Sequence, residues 1–143
     1  MRHRVGLHET DAAGVMFAGH IATLAHAAYE QALLAAGCDL AAVIRAGALA
    51  LPLRRSEADF LAPIRHGDSL ALHVALGERR AHGYRVAIEL RRDQDASPAA
   101  RVVQTHVCID AEGRKQPLPE TVAAALDRLA DATDRSAGRA VPE

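Results

Sequence analysis

A carboxylate in a loop of small residues is the feature of this chain best suited to chemistry. Asp11 lies between Thr10 and Gly14, and the loop leads directly into a long apolar helix that Gly37 is expected to end. The start of a helix carries unpaired backbone N–H groups and a partial positive charge, which stabilise a developing oxyanion. This arrangement favours a site where a carbonyl group is attacked. Asp is also common in such loops as a turn or cap residue, and that interpretation stays open.

The helix behind the loop must position this carboxylate. Its apolar residues recur at the spacing of one helical face: Ile21, Leu24, Ala25, Ala28, Ala32 and Ala35. Most residues on the other faces are apolar as well, and a helix that is apolar nearly all round is usually buried. One sheet covers only part of such a helix. The sequence therefore predicts that a second copy of the chain covers the rest.

The remaining sequence predicts strands and short connections. Strands are predicted at 2–8 (with Val5 and Leu7 on one face), at 51–60, as alternating runs at 69–76 and 84–91 that form a hairpin, and at 101–110. The last of these has Val103, Thr105, Val107 and Ile109 on one side. Strands packed around one buried helix indicate an α+β fold with a single antiparallel sheet.

The C-terminal part of the chain is predicted to hold a last helix and a tail. Pro119 is suited to the first turn of that helix, whose apolar stripe is Val122, Ala125, Leu126 and Leu129. The segment 134–143 has little apolar surface to bury and is expected to be a flexible tail. The chain is therefore predicted to be one domain, residues 1–133, followed by that tail.

Composition excludes several classes of protein. The 143 residues are 50% hydrophobic and 24% charged with a net charge of −1, which is typical of a globular domain without general affinity for nucleic acid or anionic membranes. Cys38 and Cys108 are expected to be reduced, buried thiols. The eight histidines show no metal-ligand spacing, so no metal site is expected. No secretory or membrane-spanning pattern is found, which predicts a cytoplasmic protein.

The Asp11 segment also resembles a known family. The run Thr10-Asp11-Ala12-Ala13-Gly14-Val15, then Phe17-Ala18 and Ala28-Tyr29-Glu30, is similar to the signature of hotdog-fold acyl-CoA thioesterases of the 4-hydroxybenzoyl-CoA thioesterase type. Within that group the chain most resembles the 1,4-dihydroxy-2-naphthoyl-CoA hydrolases. The resemblance continues through residues 56–63 and 67–68 and covers about residues 4–120. Two departures are Glu9, where these enzymes often carry Asp, and Gly19-His20, where Asn-Tyr or a similar pair is frequent.

The resemblance implies a fold, a reaction and an assembly. The fold is the hotdog fold, a curved antiparallel sheet around a central helix, paired into dimers or tetramers with active sites at the subunit interface. Asp11 would attack the thioester carbonyl or act as general base on a water, with the oxyanion held at Ala18-Gly19, where Gly19 also permits close approach of the thioester. The substrate would be an aromatic acyl-CoA, with no cofactor beyond the CoA that the substrate carries. Aliphatic acyl-CoA hydrolysis and non-catalytic acyl-CoA binding are the alternatives.

Further residues are expected to bind substrate. His20 is a candidate for substrate contact, the alternative being a helix cap. Ser56 and Glu57 would line the pocket of the neighbouring subunit, unless they are ordinary strand residues. Arg79 and Arg80 would bind the CoA phosphates, unless their turn is simply solvated. The expected substrate-binding residues are Gly14, His20, Ser56, Glu57, Arg79, Arg80 and His82.

Overall fold

Five antiparallel strands form one sheet in the computed structural model, which describes residues 1–137. The elements in chain order are β1 (Arg2–Arg4), a 3-10 turn (Leu7–Glu9), α1 (Ala18–Ala35), α2 (Leu40–Arg45), β2 (Leu53–Phe60), β3 (Ser69–Arg80), β4 (Gly83–Arg92), β5 (Ala100–Val107) and α3 (Glu120–Ala137). The strand order is β1-β3-β4-β5-β2, so β1 and β2 are the two edges.

The core lies between α1 and the inner face of the sheet. The predicted alternation of β3 and β4 is confirmed, because Leu70, Leu72, Val86, Ile88 and Leu90 are all buried. The helix contributes a buried face to the same core: Ile21, Leu24, Ala25, Ala28, Tyr29 and Leu33. The chain leaves the helix through Gly37, whose φ of +93° favours glycine, as predicted.

The first strand is shorter than the sequence predicts. It ends at Arg4, and the next residues turn into the 3-10 segment, so Val5 is buried while Leu7 is 71% exposed. The turn forms because the Glu9 carboxylate accepts a hydrogen bond from the Gly6 N–H. The prediction that Val5 and Leu7 share a strand face is therefore wrong.

Strand β5 turns polar residues into the core. Its buried positions are Ala100, Val102, Gln104 and His106, the side opposite to Val103, Thr105 and Val107. Register explains this orientation, since Val102 pairs with Ile88 and His106 with Tyr84, both of which face the core. Gln104 tolerates burial because its amide contacts His26 and the Ala22 carbonyl, whereas the His106 ring is satisfied only at Nδ1, by the Leu51 carbonyl, and its buried Nε2 has no partner among the described residues.

The last helix packs by the predicted stripe, with Val122, Ala125, Leu126 and Leu129 all buried. It continues to Ala137, so its last four residues fall within the segment 134–143 that the sequence predicts as a tail. Residues 138–143 lie outside the described residues. Across the part of the chain that the structure describes, none of the helices combines the length and the apolar character needed to cross a membrane.

The edge strand β2 is exposed along its whole length. All eight of its residues are exposed, including Leu53 and Phe60. The side of α1 away from the core is also partly open, since Leu34 is 59% exposed. One sheet thus covers one side of the helix, which leaves an apolar helix flank and a bare sheet edge on the same chain.

Candidate active site

The Asp11 loop is a tight turn closed by its own backbone. The Asp11 N–H donates to the Val15 carbonyl at 2.9 Å, and the Gly14 N–H donates to the Asp11 carbonyl at 3.0 Å. Gly14, one of the expected substrate-binding residues, has a φ of +76° and serves the geometry of this turn. One carboxylate oxygen, Oδ1, accepts the Ala13 N–H at 2.8 Å. The Asp11 side chain is exposed, so its other oxygen is accessible to a reactant.

Both ends of the loop are fixed to the rest of the fold. Thr10 and Met16 face each other in an isolated antiparallel bridge. The Met16 N–H donates to the Ile64 carbonyl at 2.7 Å, and the Phe17 N–H donates to the Glu9 carbonyl at 2.9 Å. The loop therefore rests on the segment that follows β2, and Asp11 is held close to the start of α1.

The start of α1 has free backbone donors. Phe17 is the N-cap and has no capping side chain, while the His20 N–H already donates to the Phe17 carbonyl. The N–H groups of Ala18 and Gly19 have no hydrogen-bond partner in the part of the chain that the structure describes. They are the donors that an oxyanion at this helix start would use.

Gly19 and His20 both lie beside the Phe17 ring. A Cβ on Gly19 would lie 2.9 Å from that ring, so the missing side chain makes room for Phe17 on the side where a Cβ would point. His20 is half-buried and contacts the rings of His8 and Phe17 edge-on, with centroid distances of 6.2 and 6.0 Å. The His20 side chain is not a cap of the helix.

An apolar cleft of about 350 Å³ adjoins the loop. It is lined by Val15, Met16, Ile21, Phe60, Leu61, Ala62, Pro63 and Ile64. The cleft joins the C-terminal side of the Asp11 loop to the end of β2, so an acyl group seated there lies beside the loop. No lining side chain is charged, which suits a hydrophobic or aromatic group.

Ser56 and Glu57 lie on opposite faces of β2. Ser56 pairs with Gln104, which faces the core, whereas Glu57 pairs with Val103 on the outer face. The Glu57 carboxylate accepts a hydrogen bond from Arg55 at 2.7 Å on that outer face. Only Ser56 is on the face of the sheet that carries α1, so the two residues cannot line one pocket from the same side.

Arg79 and Arg80 also lie on opposite faces of the sheet. Arg79 donates to the Asp127 carboxylate and to the Ala123 carbonyl of α3, which attaches the hairpin to that helix. Arg80 lies on the outer face and donates to Glu78 at 2.8 Å. It borders a cavity of about 450 Å³ that also has the acidic Glu78 in its lining. The basic lining residues are Arg54, Arg55, Arg80, His82, Arg85, His106 and Lys115. Arg85 and Lys115 were missed in the sequence because they meet the others only through strand pairing.

Glu9, which the sequence marks only as a departure from the thioesterase motif, is a buried carboxylate. It is 7% exposed, and it accepts hydrogen bonds from the Gly6 N–H at 2.8 Å and from His3 Nε2 at 2.8 Å. Burial alone would raise the pKa of Glu9, but the Gly6 and His3 hydrogen bonds outweigh it and lower that pKa below its usual value. The carboxylate is therefore ionised at neutral pH.

A buried aromatic and polar cluster lies under α1. The Tyr29 and Tyr84 hydroxyls hydrogen-bond to each other, and both rings stack on His106 at centroid distances of 4.5 and 5.2 Å. Burial raises the pKa of Tyr29 to about 12 and lowers the pKa of His106. His26 contacts Gln104 at 3.3 Å beside this cluster. No sequence pattern indicated the cluster, because its members are distant along the chain.

Comparison with known proteins gives a consistent picture. Residues 5–126 match the family described as the thioesterase-like superfamily. A 1,4-dihydroxy-2-naphthoyl-CoA hydrolase from Synechocystis sp. is 35% identical over 118 residues, which are 82% of this chain and 86% of that protein. A protein of the same name from Nostoc punctiforme is 29% identical over 96% of this chain and 94% of its own length.

Solved structures share the architecture. The crystal structure of a 1,4-dihydroxy-2-naphthoyl-CoA thioesterase from Synechocystis superposes with a TM-score of 0.84 at 33% identity. The match covers 90% of this chain and 95% of the other. A gentisyl-coenzyme A thioesterase structure, 19% identical, superposes with a TM-score of 0.78 over 88% of this chain and 98% of its own, and shows the likeness of fold alone. The curved sheet around α1 is thus the hotdog fold.

Proposed function

The chain belongs to the thioesterase-like superfamily, and we propose that it hydrolyses the thioester bond of an aromatic acyl-CoA, releasing the free acid and CoA. Hydrolysis of a CoA thioester is what its relatives are named for, and the aromatic acyl group follows the names of those at 35% and 32% identity. The observation that carries the proposal for this chain is the accessible Asp11 carboxylate in a loop that borders an apolar cleft and leads into the free N–H groups at the start of α1.

Asp11 supplies the chemistry in one of two ways. As a nucleophile, a carboxylate oxygen bonds to the thioester carbon, the C–S bond breaks, CoA leaves as a thiolate, and water then hydrolyses the mixed anhydride. As a general base, Asp11 takes a proton from the water that attacks the same carbon, and the C–S bond then breaks to release the acid and the CoA thiolate. In both cases negative charge develops on the carbonyl oxygen, and the N–H groups of Ala18 and Gly19 are suited to stabilise it.

The acyl group belongs in the apolar cleft beside the loop. Phe60 and Leu61 are about half exposed in the single chain, and covering them with a flat aromatic ring removes apolar surface from water. Val15 and Met16 belong both to the cleft lining and to the Asp11 loop, which supports a reacting carbonyl close to Asp11. Oxygen substituents on the ring have no side-chain partner in this part of the lining.

The basic cavity on the outer face is suited to bind the CoA phosphates. Arginine binds phosphate with paired, charge-assisted hydrogen bonds, and four arginines border this cavity. The cavity begins at Arg54 and Arg55, at the start of β2, whereas the acyl cleft reaches Phe60 at its end. The strand between them has eight residues and is about 23 Å long.

A second copy would bring the two halves of the site together. Antiparallel pairing of two β2 edges about a two-fold axis sets the start of one strand beside the end of the other. The basic cavity of one subunit then lies at the same end of the paired strands as the Asp11 cleft of its partner. We therefore propose a dimer as the working unit. A tetramer stays a prediction of the resemblance, and a cytoplasmic location stays a prediction from the sequence patterns.

Free-thiol release from a panel of CoA thioesters tests the function. We expect aromatic substrates such as 1,4-dihydroxy-2-naphthoyl-CoA and benzoyl-CoA to be hydrolysed with kcat/KM well above butyryl-CoA and octanoyl-CoA. A preference for the aliphatic substrates would contradict the aromatic assignment and keep the reaction. Binding of acyl-CoA without thiol release from any substrate would contradict hydrolysis and favour a binding module.

We also propose that the reaction uses no metal ion or redox cofactor, because attack of a carboxylate or a water on a thioester needs neither. Prolonged treatment with a chelator, followed by gel filtration, is expected to leave kcat unchanged. Loss of activity that Mg²⁺, Mn²⁺ or Zn²⁺ restores would show that this part of the proposal is wrong.

A further inference from the structure

Glu9 is the buried charge of this fold that the proposed reaction does not use. Among the residues whose side chains the structure describes, it is the one carboxylate that is buried. A buried carboxylate costs free energy unless it is hydrogen-bonded and paired, so its position near Asp11 requires a physical explanation.

The Glu9 carboxylate is anchored to the sheet. His3 Nε2 lies 3.0 Å from Oε1 and 2.8 Å from Oε2 of Glu9, and the Gly6 N–H donates to Oε2. His3 belongs to β1 and pairs with Leu70 of β3, a residue that is fully buried. The side chain of Glu9 is therefore attached to the rigid part of the molecule.

The backbone of Glu9 is attached to the reactive loop. Its carbonyl accepts the Phe17 N–H at 2.9 Å, and Phe17 is the N-cap of α1. Asp11 follows Glu9 by two residues, so one residue fixes both the segment that enters the loop and the segment that leaves it. The same bond occupies the Phe17 N–H, and the Ala18 and Gly19 N–H groups are then the first free donors of the helix.

We propose that Glu9, held by His3, is a positioning residue that sets Asp11 against the oxyanion donors of α1. The inference rests on the proposed hydrolysis for its kinetic consequence, but its structural part stands independently. The lowered pKa of Glu9 supports it, because the carboxylate stays charged and keeps its hydrogen bonds at neutral pH. A displacement of about 1 Å between reacting groups costs on the order of 100-fold in rate, so loosening this anchor should be visible in kcat.

Four variants separate positioning from simple stability. Glu9→Ala removes the anchor, and His3→Ala removes its partner on β1. Glu9→Gln keeps an oxygen for the Gly6 N–H and an amide that can donate to His3, so it is the conservative variant. Glu112→Ala is the matched control, because Glu112 is an exposed carboxylate whose ion pair with Arg114 lies in the turn after β5, outside the Asp11 loop and β1.

The kinetic arm measures kcat and KM for an aromatic acyl-CoA at a temperature where circular dichroism shows each variant folded. We expect Glu9→Ala to lower kcat about 10- to 100-fold while KM changes by no more than about 2-fold. His3→Ala should lower kcat by a smaller factor, also with little change in KM. Glu9→Gln should keep most of the kcat of the unmodified chain. Glu112→Ala should match the unmodified chain. If Glu9→Ala does not fold, His3→Ala decides, and unchanged kcat there overturns the proposal. Wild-type kcat in a folded Glu9→Ala overturns it as well.

The structural arm does not depend on turnover. Amide hydrogen exchange is followed at Phe17 and through the loop residues 11–19, compared with the core of β4. We expect His3→Ala and Glu9→Ala to speed exchange in the loop selectively, while Glu9→Gln and Glu112→Ala do not. Uniform acceleration across β4 or none in the loop would contradict positioning. Absence of thiol release from the unmodified chain would refute the proposed function instead, and this arm would still decide the role of Glu9.

Discussion

At the level of single residues, the Asp11 carboxylate has two unlike oxygens. Oδ1 accepts the Ala13 N–H and so holds the side chain within its own turn. Oδ2 has no hydrogen-bond partner among the backbone and side-chain groups that the structure describes, and it is the oxygen available for attack or for taking a proton. A group that is fixed on one side and open on the other suits a nucleophile or a base, since it needs little reorganisation.

Replacing Asp11 by Asn is expected to abolish turnover and keep the fold. The Asn amide oxygen can still accept the Ala13 N–H, so the turn should survive, but an amide is neither a nucleophile nor a base at neutral pH. We expect kcat to fall by about 1,000-fold or more in the free-thiol assay. An unchanged thermal midpoint is the control. A folded variant with near-normal kcat would show that Asp11 is a loop residue only.

The buried His106 should make stability depend on pH. Burial lowers its pKa, so the folded state keeps it neutral while the unfolded state protonates near pH 6.5. As the pH falls below about 6.5, the unfolded chain binds a proton that the folded chain does not, and the free energy of unfolding decreases by up to about 1.4 kcal/mol per pH unit.

Urea unfolding at pH 7.5 and pH 5.5 measures this effect. We expect the loss of stability between the two pH values to be smaller in His106→Gln than in the unmodified chain. The control is His66→Gln, because His66 is exposed in a loop. Equal losses in the unmodified chain and His106→Gln would contradict the assignment.

At the level of helices and strands, the sequence correctly predicted the features that depend only on residue spacing within one element. Alternation in β3 and β4 and helical spacing in α1 and α3 identified core positions correctly, because each period is contained within one element. The buried face of β5 could not be predicted in this way, since pairing with β4 and partners for Gln104 and His106 decide it. The prediction of the first strand failed for a similar reason: the Glu9 side chain bonds the Gly6 N–H and ends the strand.

The candidate site was predictable to the same extent, since features within one segment were found and features built from several segments were not. Asp11 and the helix start were found because they are adjacent in sequence and carry a family motif. The cleft at residues 60–64 and the basic cavity were not found as units, because their walls come from separate elements. Arg79 and Arg80 are neighbours in sequence, yet strand alternation sends Arg79 to α3 and Arg80 to the outer face.

The pairing of β4 with β5 leaves no room for a side chain at Gly83. A Cβ at this position would lie 2.4 Å from the His106 carbonyl oxygen, which belongs to the backbone of the paired strand. Gly83→Ala should therefore force the strands apart and lower the free energy of unfolding by about 1–3 kcal/mol or more. Gly77→Ala on β3 is the matched control, because its Cβ would meet Arg85 at an ordinary 3.6 Å. Equal thermal midpoints for the two variants would contradict this packing.

At the level of the whole molecule, the single chain leaves its edge strand unprotected. A bare edge with unpaired backbone groups is a template for pairing, and proteins usually cover it. The exposed residues Leu53, Phe60 and Leu61 lie at the two ends of this strand and beyond it. Pairing with a second copy would cover the edge and these side chains together, at about 25 cal/mol per Å² of apolar surface removed from water.

A shared site predicts that two defective chains can repair each other. One variant is Asp11→Asn, and the other is Arg54→Glu with Lys115→Glu, which reverses two charges of the basic cavity and should raise KM for acyl-CoA. If Asp11 of one subunit works with the cavity of its partner, a mixed dimer has one site with both defects and one with neither. Random exchange makes about half of the dimers mixed, so about a quarter of wild-type activity should return at low substrate concentration.

Mixing is verified before activity is interpreted. Light scattering should give a dimer or a larger even assembly, and a tagged and an untagged variant should co-purify after subunit exchange. If Asp11 works with the cavity of its own chain, each site of a mixed dimer carries one defect, and no activity returns beyond the sum of the two variants. If demonstrated mixed dimers show no restored activity, the shared site is contradicted, because each site is then built from a single chain and carries that chain's defect. An active monomer in light scattering would contradict the dimer as well, since one chain would suffice to bring the basic cavity and the Asp11 cleft to the same substrate.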